Sequence, residues 1–108
     1  MSEVHEGLAI GHSMAELAAQ HAGAEWQDEA YEAFRQFALR TEYFTTEMAR
    51  LASPDVAAPP DARAWGSVAL RAKKSNVVAA DGWVRAESRT VHGMVVTLWR
   101  SRIFQGQT

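Results

Sequence analysis

The chain contains no cysteine, only three prolines, and no uncharged apolar run of the roughly 18 residues that a membrane-spanning helix requires. Without cysteine it makes no disulfide, iron–sulfur cluster or thiolate zinc site. That fits a reducing compartment, and the cytoplasm is the expected location. The opening residues, Met1-Ser2-Glu3-Val4-His5-Glu6, are acidic and do not read as a signal peptide. No glycine-rich phosphate loop and no nucleophile elbow occurs. Paired carboxylates such as Asp28-Glu29 fall on an exposed helical face, without the burial that raises a pKa for general-acid work. Of the four histidines, His5, His12 and His21 lie near the start at spacings of seven and nine, which match no standard ligand pattern; His92 stands apart. An enzyme active site, a metal, a cofactor, a small-molecule substrate and a membrane partner are therefore all unexpected.

What is present is apolar surface. The 108 residues are 47% hydrophobic, with four Trp and four Phe, enough for one modest core in a single domain. The net charge of −2 hides a strong asymmetry. Residues 1–60 carry ten carboxylates against three arginines, a balance of −7; residues 61–108 carry eight bases against three carboxylates, a balance of +5. Such polarity points to an anionic partner for the basic half. The competing reading is that the two halves neutralise each other within one fold.

Residues 1–23 read as a weakly ordered leader. Ser13-Met14-Ala15-Glu16 fits a capping box, so a short helix from Met14 to His21, stopping at Gly23, is possible there. The stretch 24–104 reads as the folded domain, with 105–108 as a tail. Its strongest helix runs from Ala24 to Arg40. Trp26, Ala30, Ala33, Phe34 and Phe37 share one face and Glu25, Asp28, Glu29, Glu32 and Gln36 the other. After an extended Tyr43-Phe44, Thr45 is placed to cap a short helix ending near Ala52, where Ser53-Pro54-Asp55 stops it. Residues 56–60 form a connector. Asp61 then caps a helix to about Lys74, with Ala62, Trp65, Val68, Ala69 and Ala72 apolar and Arg63, Ser67, Arg71 and Lys74 opposite. Asn76 suits the left-handed residue that closes a helix. Val77-Val78 precedes an expected turn at Asp81-Gly82. The runs 83–87 and 94–99 read as the two strands of a hairpin whose tip is 88–93.

This order, carried by Phe44-Thr45-Thr46-Glu47, by Arg63-Ala64-Trp65-Gly66 and by the hairpin ending Leu98-Trp99-Arg100, resembles the winged helix-turn-helix fold over about 25–102. The run from Phe44 through Trp99 is also similar to small phage- or prophage-encoded proteins with such a domain. The resemblance implies an α+β fold, a three-helix core followed by a C-terminal β-hairpin wing. It further implies that the helix ending at Lys74 enters the major groove of DNA while the wing contacts neighbouring backbone. Arg63, Ser67, Arg71 and Lys74 then become the groove-facing row, and Arg85, Arg89 and His92 the wing contacts. Thr45 and Thr46 would offer hydroxyl and backbone N–H groups to a phosphate.

The connector 53–60 departs from the tight turn usual in that fold, and Leu70 falls on the side assigned to DNA. An exposed Leu70 would equally mark a protein interface, so a non-enzymatic module binding a protein partner or a second copy is the alternative. Pairing of Asp28, Glu32 or Glu87 with the basic row would neutralise it and remove the case for nucleic acid.

Overall fold

Helix formation begins in the leader. In the computed structural model, which describes residues 15–18, 20–85 and 95–106, the described residues 15–18 and 20–22 are helical (α1). The capping box at Ser13 lies outside the described residues. Gly23 then takes φ 95°, a left-handed conformation open to glycine, and the chain turns into α2 (Ala24–Arg40). Its buried residues are Trp26, Ala30, Phe34, Phe37 and Ala38. The expected stripe is therefore recovered with Ala38 added, and Ala33 lies only partly buried at its edge. The acids Glu25, Asp28, Glu29 and Glu32 are exposed.

The extended pair is strand β1 (Tyr43–Phe44), followed by α3 (Thr46–Leu51). Thr45 caps α3 as expected, its Oγ1 accepting from the Met48 N–H at 3.3 Å. Phe44 is fully buried and packs edge-on with two rings of α2, Phe34 at 5.3 Å and Phe37 at 5.0 Å between ring centres. Such edge-on pairs add about 0.5–1.5 kcal/mol each beyond burial. The connector after α3 is held down by Trp26, whose Nε1 donates to the Ala57 carbonyl at 2.7 Å.

Helix α4 (Ala64–Lys74) starts later than its sequence suggests. Asp61 does accept a backbone hydrogen bond, from the Arg63 N–H at 2.9 Å. The next bonds, Ala64 N–H to Asp61 O, Trp65 N–H to Ala62 O and Gly66 N–H to Arg63 O, span three residues each, so the first turn is tight. That winding leaves Ala62 exposed, and Ala64 takes its place in the core beside Trp65, Val68, Ala69 and Ala72. Trp65 meets Trp26 edge-on at 5.6 Å. The far end closes as expected: Asn76 has φ 62°, with Asn76 N–H bonded to Lys73 O and Val77 N–H to Ala72 O.

Strand β2 (Val78–Arg85) corrects the turn expected at Asp81-Gly82. It runs straight through these residues, paired antiparallel with β3 (Val95–Ser101) on both sides of them. Ala80 faces Trp99 and Trp83 faces Thr97, so one extra residue is accommodated in β2 as a bulge, and Gly82 at φ 109° absorbs it. Ladder bonds on either side outweigh the local turn preference. The sheet is antiparallel in the order β1-β3-β2. Ser101, buried at the end of β3, donates from Oγ to the Ala38 carbonyl at 2.7 Å and ties the sheet to α2. Backbone bonds continue past it, from Arg102 N–H to Val77 O and from Gln105 N–H to Leu39 O. The fold is α+β, and among the described residues no helix is long and apolar enough to cross a membrane.

Candidate nucleic-acid interface

The 100° step of α4 distributes its polar residues over more than one environment. Arg71 lies on the flank toward α2. Its Nη1 donates to Asp28 Oδ1 at 3.0 Å, and its guanidinium sits 4.1 Å from the centre of the Tyr31 ring. On the opposite flank α1 comes close: a Cβ added at Gly66 would lie 3.4 Å from the Ala15 Cβ. Between these flanks runs a ridge of Arg63, Ser67, Leu70 and Lys74. Arg63 and Lys74 are exposed, whereas Ser67 and Leu70 are half-buried, so Leu70 is not the protruding residue expected.

Arg63 carries its own counter-charge. It binds Asp61 through Nε and through Nη2, the latter at 2.7 Å. Those hydrogen bonds hold the Asp61 carboxyl below its ordinary range and raise the guanidinium. Arg71, as stated, is paired with Asp28, one of the three acids whose pairing would count against a nucleic-acid surface. Glu32 instead turns along its own helix to Arg35 and Gln36, whose hydrogen bonds lower its pKa to about 2. Glu87 lies outside the described residues.

The cations that remain without an ion pair sit elsewhere. Among the described residues Arg40, at the end of α2, is exposed and in no ion pair, and so are Lys73, Lys74 and Arg102. Val77 joins the last three: it follows the α4 cap directly, and its carbonyl accepts the Arg102 N–H at 2.8 Å. Lys73 and Arg102 escaped sequence reasoning, because the Val77–Arg102 contact crosses the sheet and has no local signature. Cations in a last turn also offset the helix dipole, a role that leaves their charge open to solvent.

The remaining expected residues divide. Arg85 is exposed at the end of β2, opposite Val95. Arg89 and His92 lie outside the described residues. Both threonine hydroxyls are engaged: Thr45 in the cap, and Thr46, whose Oγ1 accepts from Trp99 Nε1 at 3.0 Å. That bond fixes β3 against the start of α3 and uses one lone pair of the Thr46 hydroxyl, leaving its proton free to donate. Apolar side chains also reach solvent, namely Met48 and Leu51 on α3, Tyr43 on β1, and Trp83 and Val95 on the outer part of the β2–β3 ribbon. Comparison of the chain with protein-family models, with curated proteins and with solved structures finds no match in any of the three.

Proposed function

We propose that the chain is a winged-helix module, of the kind found in small phage proteins, that binds double-stranded DNA in transcriptional control or replication. The order α2-β1-α3-α4-β2-β3 with sheet order β1-β3-β2 supports the winged-helix reading, with α4 as the groove helix and the β2–β3 ribbon as the wing. The observation that carries the binding reading is the exposed cluster Lys73, Lys74 and Arg102 beside the α4 ridge, with no carboxylate paired to it. The Asp28–Arg71 pair meets the condition that counts against the expected row, so the reading rests on Lys73, Lys74 and Arg102, and Arg71 reaches a phosphate only by giving up Asp28. That contact is an exposed pair, worth about 0–1 kcal/mol, which a phosphate can displace.

The test is a salt titration. A row of four to six phosphate contacts gives a slope of log K on log salt of about −4 to −5. An arginine that gives up an aspartate to reach a phosphate releases one cation from DNA and leaves a carboxylate to attract another. With Arg63 and Arg71 so engaged, a slope of about −3 is expected for duplex binding followed by fluorescence anisotropy. Replacing Lys73, Lys74 and Arg102 together by Ala should remove most of that slope and shift stability by no more than about 1 kcal/mol. Affinity that does not change between low and moderate salt would sink the reading.

A second reading has its own observation. Met48 and Leu51 stand three residues apart on α3, both exposed, and suit a protein partner or a second copy. Light scattering on the full chain separates the cases: a concentration-dependent dimer lost on Leu51→Lys, with no salt-dependent DNA binding, favours the protein interface.

A further inference from the structure

The four tryptophans occupy two very different environments. Trp26, Trp65 and Trp99 are 8%, 3% and 5% exposed, whereas Trp83 is 78% exposed. The register explains why. Trp83 lies directly opposite Thr97, on the same face of the ribbon as Trp99 and as the Arg85–Val95 pair. At the base of that face α3 covers Trp99 through the Thr46 bond, while further out Trp83 and Val95 (61% exposed) are left uncovered. The bulge at Asp81-Gly82 keeps this alternation in phase, since without the extra residue Trp83 would turn to the other face. The cation on this face is Arg85, one pair further out, whereas Arg100 lies on the other face of β3 and is paired loosely with Asp81 at 3.9 Å.

We infer that Trp83 is a stacking platform for an unpaired nucleobase, so that the protein prefers duplexes carrying unpaired bases, such as single-stranded tails or bulges, over fully paired ones. This rests on the nucleic-acid reading above and adds to it a substrate class and a residue. An exposed indole gains most by covering its ring face with another flat apolar surface, and a nucleobase supplies one in a polyanion that the basic half of the chain attracts. Intact duplex buries base faces in its own stack, and a wedge must first pay for unstacking. An unpaired base presents its face at little cost. Loss of one base–aromatic stack corresponds to a drop in affinity of about 5- to 150-fold.

The experiment uses the full chain and two labelled DNA hairpins of one duplex sequence, blunt or with a short unpaired tail. Because Trp83 alone among the four is open to solvent, acrylamide quenching reports on it. The tailed hairpin should bind more tightly than the blunt one and shield the quenchable fraction. Trp83→Ala should abolish the difference, costing 5- to 150-fold on the tailed hairpin and little on the blunt one, while Trp83→Phe restores part of it. Equal affinity of the wild-type protein for the two hairpins, or an unchanged ratio in Trp83→Ala, overturns the inference and leaves duplex binding standing. Failure to bind either hairpin removes both. Shielding of Trp83 that rises with protein concentration in the absence of DNA assigns the face to a second copy and also overturns it.

Discussion

Replacing Asp28 by Asn should tighten duplex binding. The Asp28 carboxylate lies 3.0 Å from Arg71 Nη1, with the two side chains 75% and 48% exposed. Contacts of about 3 Å on each side of a guanidinium put a phosphate bound by Arg71 roughly 6–7 Å from that carboxylate. Two unit charges at that range repel in water by about 0.6 kcal/mol, and screening at physiological salt reduces this to about 0.3. The wild-type protein must also open the pair, which for an exposed contact costs about 0.2–1 kcal/mol. Asn removes both terms, so affinity should rise by about two- to nine-fold. The uptake of a cation at the vacated carboxylate disappears as well, so the salt slope should steepen by just under about one unit. The assay is anisotropy over a salt series with wild type, Asp28→Asn, Arg71→Ala and the double variant. If Asp28→Asn and Arg71→Ala both bind as wild type does, Arg71 is not at the interface and the reasoning is refuted.

Phe34→Ala should cost about 3–5 kcal/mol, since the ring is fully buried and packs on Phe44; chemical denaturation measures it, and a loss under 1 kcal/mol would contradict the packing described. Thr45→Ala removes the α3 cap, with an expected loss of about 0.5–2 kcal/mol in the same assay. Glu32 has its folded pKa lowered from 4.5 to about 2, so its contribution is present above about pH 4.5 and fades as pH falls toward 2. Solvent screening limits it to less than about 1 kcal/mol. Glu32→Gln should therefore be slightly less stable than wild type near pH 6 and equal to it near pH 2; an equal deficit at both pH values would rule out the titration.

How far the sequence could be read depended on the range of each interaction. The α2 stripe, the Thr45 cap and the Asn76 closure were legible because each is decided within one or two turns of chain. Ala62 was misplaced because a tight first turn advances 120° per residue, not 100°, and shifts every side chain before Ala64. Asp81-Gly82 carries the local signature of a turn, but β3 supplies ladder partners on both sides, and that outcome depends on residues fourteen or more positions away. The same holds for the site. The Asp28–Arg71 pair spans 43 residues, so charge composition allowed it without selecting it. Trp83, at the start of a run that reads as strand, is ambiguous in sequence between core packing and base stacking, and its 78% exposure depends on which elements pack over the ribbon.

Segregation of charge along the chain is not segregation in space, and the ion pairs measure the difference. Arg63 pairs with Asp61 and Arg100 with Asp81, the latter loosely at 3.9 Å. These acids belong to the basic half already, so the +5 balance counts them. Among the described residues only Arg71–Asp28 joins the two halves, and it offsets one charge of the five. The other acids of α2 stay on its solvent face, where Glu32 is held by Arg35 rather than by α4. Among the described residues, neutralisation of one half by the other through ion pairs is therefore limited to the Arg71–Asp28 contact. The pair with Asp28 shifts the unpaired positive charge of α4 toward its end, to Lys73 and Lys74, and the backbone of Arg102 is tied to the segment just beyond them at Val77. A polyanion approaching this surface would be drawn to that end and repelled along the α2 flank, which gives the binding a preferred orientation before any base is read.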